Sequence, residues 1–234
     1  MNLARPTSIS NRLRAKLPFK LLLTLLLYPA VYGPYHFLQL HHFFTPTELR
    51  PGLVDQWIPF DDRFVWIYLS VYLLMPIGPI LMTTREQLRR YAAGILLISL
   101  VADTVFVLHP TICPRPNPVG SGRLYQLLVA IDNPFHGFPS LHAAFAIYSA
   151  LCAERVLRVL GWRSCMSAAA WTWATLILYS TLATKQHTLA DIVFGGVLGT
   201  LVYFAVFRAP FVLKEKTSPW LIEPKPSQTI QPIV

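Results

Sequence analysis

Hydrophobic residues in this chain fall into six long runs, separated by short polar or basic segments. The runs cover approximately 17–40, 64–82, 91–108, 139–156, 166–183 and 188–207. A bilayer core of ~30 Å takes roughly 20 apolar residues as a helix. Strands with open edges would leave backbone groups unpaired in lipid, so helices are the expected form. The pattern predicts an all-α, polytopic membrane protein built as a six-transmembrane-helix bundle. Glu154 and Arg155 cut the fourth run short and make it the weakest. Pro29, Pro34, Pro76 and Pro79 predict kinks in the first two runs. The first run follows a basic start, as a signal peptide would. It is long and has no clear small-residue cleavage site, so it reads as a retained span. The expected organisation is a basic N-terminus at 1–16, a membrane domain at 17–213 and a flexible, proline-rich tail at 214–234.

Composition agrees with a membrane setting. Hydrophobic residues make up 54% of the chain and charged residues 13%, against about a quarter charged in soluble domains. The formal net charge is +9. The basic residues sit in small clusters between apolar runs rather than on one patch, and nothing resembles a nucleic-acid module. One side of the six-span arrangement carries Arg5, Arg12, Arg14, Lys16, Lys20, Arg85, Arg89, Arg90, Arg155, Arg158, Arg163, Arg208, Lys214, Lys216 and Lys225. The other carries Arg50, Arg63, Arg115, Arg123 and Lys185. That is fifteen against five, which predicts that both termini are cytoplasmic. Cys113, Cys152 and Cys165 make no paired spacing for zinc or a redox site.

The same arrangement brings three polar stretches to the non-cytoplasmic face: HPTICPRPNP at 109–118, FPSLHA at 138–143 and TKQHTLAD at 184–191. His187 and Asp191 are four apart, so a helix puts them on one face. A carboxylate there can fix the imidazole tautomer and leave the other ring nitrogen as base or nucleophile. The alternative is a capping box, with Asp191 closing the helix start at Thr188. Ser140 suits an N-cap, and His142 follows in the first turn, where free N–H groups attract anions. Arg115 offers a planar fork for phosphate oxygens, and Lys185 and Arg123 add positive charge. Together these residues suit phosphoryl transfer: His187 as nucleophile, Asp191 as its orienter, His142 as general acid, and Arg115, Ser140 and Lys185 on the oxygens. No metal or other cofactor is expected. A metal held by His142, His187 and Asp191 is the alternative, though no further acidic ligand lies near them.

On these motifs the chain resembles the type 2 phosphatidic acid phosphatase superfamily, over about residues 60–210. The family's Ser-Arg, five residues, His, three residues, Asp motif is matched in spacing by Ser180, Thr181, His187 and Asp191. Its Pro-Ser-Gly-His motif corresponds to Pro139, Ser140, Leu141 and His142. Its Lys, six residues, Arg-Pro motif survives as Arg115-Pro116, with Leu108 in place of the lysine. The resemblance implies a six-helix bundle and a phosphohistidine intermediate on His187. Thr181 and Leu108 replace two cations, and Leu141 replaces a glycine. The FPSLHA and HTLAD forms are closest to the inositol phosphorylceramide synthase branch, whose members transfer a phosphoinositol group between lipids.

A site short of cations suits a monoanionic diester better than a dianionic monoester. The expected function is therefore transfer of a phospho-headgroup from a phospholipid to a lipid alcohol. Hydrolysis of a lipid phosphate, such as phosphatidate or a polyprenyl diphosphate, is the close rival. A proton-linked transporter using Asp103 and Glu154, or an inactive scaffold, represents another class. Glu154 also suits a local ion pair with Arg158, and Asp103 a contact to Arg115 or a neighbouring helix. His109, Asp132, Asn133 and His136 read as solvated loop positions, with headgroup contact as the alternative. His41, His42, Trp57 and Phe60 read as interfacial. The expected partners are a lipid substrate and the bilayer, with no nucleic acid; the oligomeric state is not legible.

Overall fold

A computed structural model of the chain describes residues 9–116, 120–161 and 164–208. The expected tail at 214–234 and the first eight residues of the basic N-terminus lie outside them. In chain order the helices are α1 (Ile9–Arg14), α2 (Leu17–Leu40), α3 (Leu53–Trp57), α4 (Val65–Leu69), α5 (Val71–Leu74), α6 (Ile77–Leu81), α7 (Arg85–Leu108), α8 (Arg123–Ile131), α9 (Leu141–Val159), α10 (Ser164–Ala183) and α11 (Leu189–Val206). Two short strands, β1 (Thr47–Glu48) and β2 (Thr111–Ile112), pair in parallel.

Four segments are long and apolar enough to cross a membrane: Leu17–Leu40, Asp62–Leu81, Arg85–Leu108 and Leu189–Val206. The fourth and fifth expected spans are present as α9 and α10, of 19 and 20 residues, but are not among those four. For α9 its position explains the weaker apolar signal, while the more exposed α10 mixes serines, threonines and tryptophans among its apolar residues. α9 is the central helix, with Ala143, Ala144, Phe145, Ala146, Tyr148, Ala150, Cys152 and Ala153 all buried. A helix wrapped by protein needs small residues more than lipid-like ones. By contrast, α11 turns Val193, Phe194, Val197, Leu201 and Phe204 outward and buries Ile192, Gly195, Gly199 and Val202, an apolar stripe for lipid backed by a close-packing face.

The expected kinks divide between the first two spans. The second span is broken into α4, α5 and α6, with interruptions at Ser70 and at Met75-Pro76. Ser70 Oγ donates back to Ile67 O at 2.6 Å and accepts from Trp173 Nε1 at 2.8 Å, a local competitor for helical bonds. α2 remains one helix through Pro29 and Pro34.

Two glycines set the crossing of α9 and α11. A Cβ on Gly195 would collide with the carbonyl oxygen of Ser140, and one on Gly199 with that of Ala144. The two backbones therefore touch, which places the start of α9 against the start of α11. At the opposite end Lys20 Nζ donates to Ile80 O at 2.6 Å and to Arg12 O at 2.8 Å. That bond satisfies a carbonyl in the last turn of α6.

Candidate active site

The segments 41–63, 109–116, 120–138 and 184–188 gather at one end of the bundle. Thr47 pairs with Thr111. His136 N donates to Thr111 O at 2.7 Å, and Phe138 N to Thr111 Oγ1 at 3.0 Å. These bonds hold the chain at Gly137 beneath the turn between α10 and α11. That turn is tight: the N–H groups of Gln186 and His187 both reach Thr181 O, at 3.0 and 3.3 Å, and Lys185 takes φ 54°. His187 is thereby swung inward, with its side chain only 10% exposed.

The His187 ring is oriented by a backbone carbonyl. Nδ1 lies 3.0 Å from Gly137 O. A carbonyl can only accept, so Nδ1 carries the hydrogen and Nε2 keeps its lone pair. This corrects the expectation for Asp191, whose Oδ2 lies 3.9 Å from Nδ1 and accepts instead from Thr188 N at 2.7 Å. The capping geometry and the approach to His187 coexist in one buried carboxylate. Its Oδ1 has no partner among the described residues. Burial pushes the His187 pKa down to about 4, against the raising effect of the Gly137 carbonyl, so the ring is neutral at pH 7.

His142 lies across the site, its ring centroid 6.2 Å from that of His187 and stacked on Tyr68 at 4.0 Å. Its Nε2 is buried without a partner among the described residues. Both histidines line a cavity of about 350 Å³ between α2, α4, α5, α8 and α9. The mouth is flanked by Tyr28, 65% exposed, and Tyr72, 44% exposed. The cavity is lined further by Tyr32, Tyr35, His36 and Asp132, and by no lysine or arginine among the described residues.

The three expected phosphate-gripping residues are otherwise engaged. Ser140 is fully buried and caps α9 by accepting from Ala143 N at 3.2 Å. Lys185 Nζ donates to Asp55 O at 2.6 Å and Ile58 O at 2.5 Å, and burial lowers its pKa. Asp55 in turn accepts from Leu189 N at 2.8 Å, so α3 is strapped across the start of α11. Arg115 donates to Val129 O at 3.2 Å and to Asp132 O. It also lines, with His187, Gln186 and Asn133, a hollow of about 20 Å³. Arg115 and Lys185 each share a hollow with His187: Arg115 the small one, and Lys185 a larger one of about 410 Å³ lined also by Asp55, Ile58 and Thr188.

At the position of the missing arginine, Thr181 is buried and its hydroxyl bonds Leu178 O at 2.7 Å. At that of the missing lysine, Leu108 is 65% exposed at the end of α7. Arg115, which also donates to Gln186 Oε1 at 3.5 Å, has no contact to Asp103, and Asp103 Oδ1 is buried without a partner among the described residues. Glu154 pairs with Arg158 at 2.5 Å and accepts from Trp171 Nε1 at 3.0 Å. Among the described residues no three His, Cys, Asp or Glu side chains come together as a metal-ligand set.

Sequence reasoning missed the tyrosine wall and Gly137. Tyr28, Tyr32 and Tyr35 stand at i, i+4 and i+7, a single helix face that was legible in principle. Gly137 acts through its backbone, which leaves no trace in residue type. Asp132 and His136, read as solvated, line the cavity instead, and His136 is 3% exposed. No curated protein and no solved structure matches the chain. Residues 88–215 match the family described as the PAP2 superfamily, more than half of the chain, and the protein belongs to that superfamily.

Proposed function

We propose that the protein transfers a phospho-headgroup from a phospholipid to a lipid alcohol through a covalent intermediate on His187 Nε2. Members of the PAP2 superfamily are phosphatases and phosphotransferases, and the family and the apolar helices together make this an integral membrane protein. The observation that carries the finer reading is the pairing of a neutral, carbonyl-oriented His187 with a tyrosine-lined cavity free of lysine and arginine. Such a cavity opposes a dianion more than a monoanion.

In this reading Nε2 attacks phosphorus, forming an N–P bond as the P–O bond to the leaving glycerolipid breaks. His142 gives the departing oxygen its proton. A lipid alcohol then enters the vacated position, returns a proton to His142, and attacks phosphorus as the N–P bond breaks. Nδ1–H stays on Gly137 O throughout, and the buried Asp191 carboxylate, 3.9 Å away, offsets the positive charge of the phosphorylated ring. Arg115 holds an equatorial oxygen. Lys185 and Ser140 fix the turn and the helix start instead of touching phosphate. The six-span arrangement, with both termini cytoplasmic and the site on the outer face, is part of the same proposal, as are the boundaries 1–16, 17–213 and 214–234.

One observation favours hydrolysis as a second reading. The 20 Å³ hollow beside His187 and Arg115 is the size of one water molecule. Intact mass of the purified protein, quenched in alkali after brief exposure to mixed phospholipids with chelator present, separates the two. An adduct of phosphate plus headgroup on His187 supports transfer. Phosphate alone supports hydrolysis of a monoester. Turnover with no adduct on His187 overturns the covalent route.

A further inference from the structure

Asp132 sits where a lipid-phosphate site has least use for it. It closes α8 and lines both the large cavity and the small hollow, each of which also touches His187. A carboxylate beside a reacting phosphate repels it, so the position asks for an explanation. The carboxylate is held deliberately. Oδ1 accepts from Gln39 Nε2 at 2.6 Å and from Tyr35 OH at 3.1 Å, and Gln39 donates to Tyr35 at 2.9 Å. All three residues are part-buried or buried, and two come from α2. Oδ2 is left without a protein partner among the described residues.

The surroundings have the same chemistry. Around the cavity stand the hydroxyls of Tyr32, Tyr35, Tyr68 and Tyr72 and the imidazole of His36. These groups pair with hydroxyls, donating or accepting as needed, and do not neutralise a second anion. A free carboxylate oxygen is an acceptor only, and its natural partner is an O–H donor. Resting on the function proposed above, we infer that Asp132 is a specificity-determining residue that selects a neutral, hydroxyl-bearing group in the cavity and rejects a second phosphate charge, with Tyr35 and Gln39 as its positioning residues. The selecting wall, residues 28–72, lies outside the family-matched segment 88–215. The proposed selectivity therefore joins residues of the chain's first half to Asp132, which lies inside that segment.

The hydroxyls have two possible sources: a polyol headgroup on the donor, or the free hydroxyls of the acceptor lipid. Native mass spectrometry of the full-length His187→Ala protein in detergent reads retention without turnover. The probes are phosphatidylinositol, phosphatidylglycerol, phosphatidylcholine, phosphatidate and diacylglycerol at equal concentration. The expected result is retention of a hydroxyl-bearing lipid over phosphatidate by ~10–100-fold, the worth of one hydrogen bond to a charged group. Asp132→Asn in the same background should abolish that preference. Phospholipids with polyol headgroups retained in this Asp132-dependent way assign the donor; diacylglycerol alone assigns the acceptor. Phosphatidate preferred, or a preference unchanged by Asp132→Asn, overturns the inference. Should Asp132→Asn fail to fold, Tyr35→Phe must reduce the preference several-fold, and no reduction counts as refutation. The phosphohistidine test on the unmodified protein stands apart. Absence of the adduct with the preference intact rejects the covalent route and keeps the binding selectivity.

Discussion

Gly195→Ala should damage this protein far more than Gly196→Ala, though the two glycines are neighbours on α11. A Cβ at 195 would collide with Ser140 O and would also lie 3.1 Å from Ser140 C and 3.2 Å from Ala143 Cβ. Two of those three atoms are backbone and cannot rotate away. A Cβ at 196 meets only Ile147 Cγ1, at 3.7 Å, an ordinary contact. Either substitution gains up to about 1 kcal/mol of helix propensity. At 195 that gain is set against overpacking of about 1–3 kcal/mol, while at 196 it stands alone. The net difference is about 1–3 kcal/mol, or several degrees in the thermal midpoint measured in detergent. The consequence for chemistry is larger. Relief of the clash moves Ser140 away from α11, and His142 is two residues further on. A misplacement of about 1 Å costs on the order of 10²-fold in rate. Rates of His187 adduct formation and melting curves for both variants provide the assay. Equal behaviour of the two would refute the backbone-contact reasoning.

The pH dependence follows from burial of His187. Its neutral form is the nucleophile, and its folded pKa is about 4, so in an Asp191→Asn background, which removes the neighbouring carboxylate, adduct formation should persist well below pH 6 and fail only near pH 4; an acid limb near 6.5 in that background would contradict this. The same shift affects stability: the unfolded histidine takes up a proton near 6.5 and the folded one does not, so this group's contribution falls as pH drops from about 6.5 toward 4. Asp191→Asn retains an acceptor for Thr188 N but removes the charge 3.9 Å from Nδ1; adduct formation should slow by roughly 10²-fold with little change in melting, given about 4 kcal/mol for such a pair at an effective dielectric constant of ~20. Lys185→Met loses two bonds to the strap carbonyls, at 2.6 and 2.5 Å, and should lower stability by about 1–3 kcal/mol while leaving KM nearly unchanged. A large rise in KM with normal melting would return Lys185 to the phosphate.

The helices and their approximate ends were legible because apolar runs of span length have few other uses. What the runs could not tell was which helix is wrapped by protein. α9 carries alanines and serines because it is the buried axis of the bundle, and its charges gather near its cytoplasmic-facing end in the expected arrangement, so the residues that make it central also make it look weak. The site was legible as a set of side chains and only partly as a geometry. Spacing placed His187 and Asp191 on one face. It could not rank a neighbouring carboxylate against a carbonyl fifty residues away as partner for Nδ1, because backbone groups are the same in every sequence. For the same reason the sequence points Lys185 at phosphate and could not show that the carbonyls of Asp55 and Ile58 hold its ammonium. The prolines of the second run accompany an interruption of that span at Met75-Pro76, whereas α2 stays a continuous helix through Pro29 and Pro34.

The two missing cations and the extra carboxylate belong to one electrostatic design. A dianionic phosphate needs several fixed positive groups to enter a low-dielectric site. Here the arginine position is a threonine tied to Leu178 O, the lysine position is an exposed leucine, and the surviving Arg115 spends donors on Val129 and Asp132 carbonyls. Adding the Asp132 carboxylate brings the formal charge of Arg115 and Asp132 together to zero. A neutral imidazole can still attack phosphorus in such a place, because forming the N–P bond generates positive charge on the ring, and Asp191 is already buried beside it to receive that charge. The imidazolium of a phosphorylated His187 thus adds to the positive charge that Arg115, and His142 as general acid, bring beforehand. A substrate bearing one negative charge is then the form that binds without a large desolvation cost and reacts with charge balance improving, and that condition is met by a phosphodiester carrying a neutral headgroup.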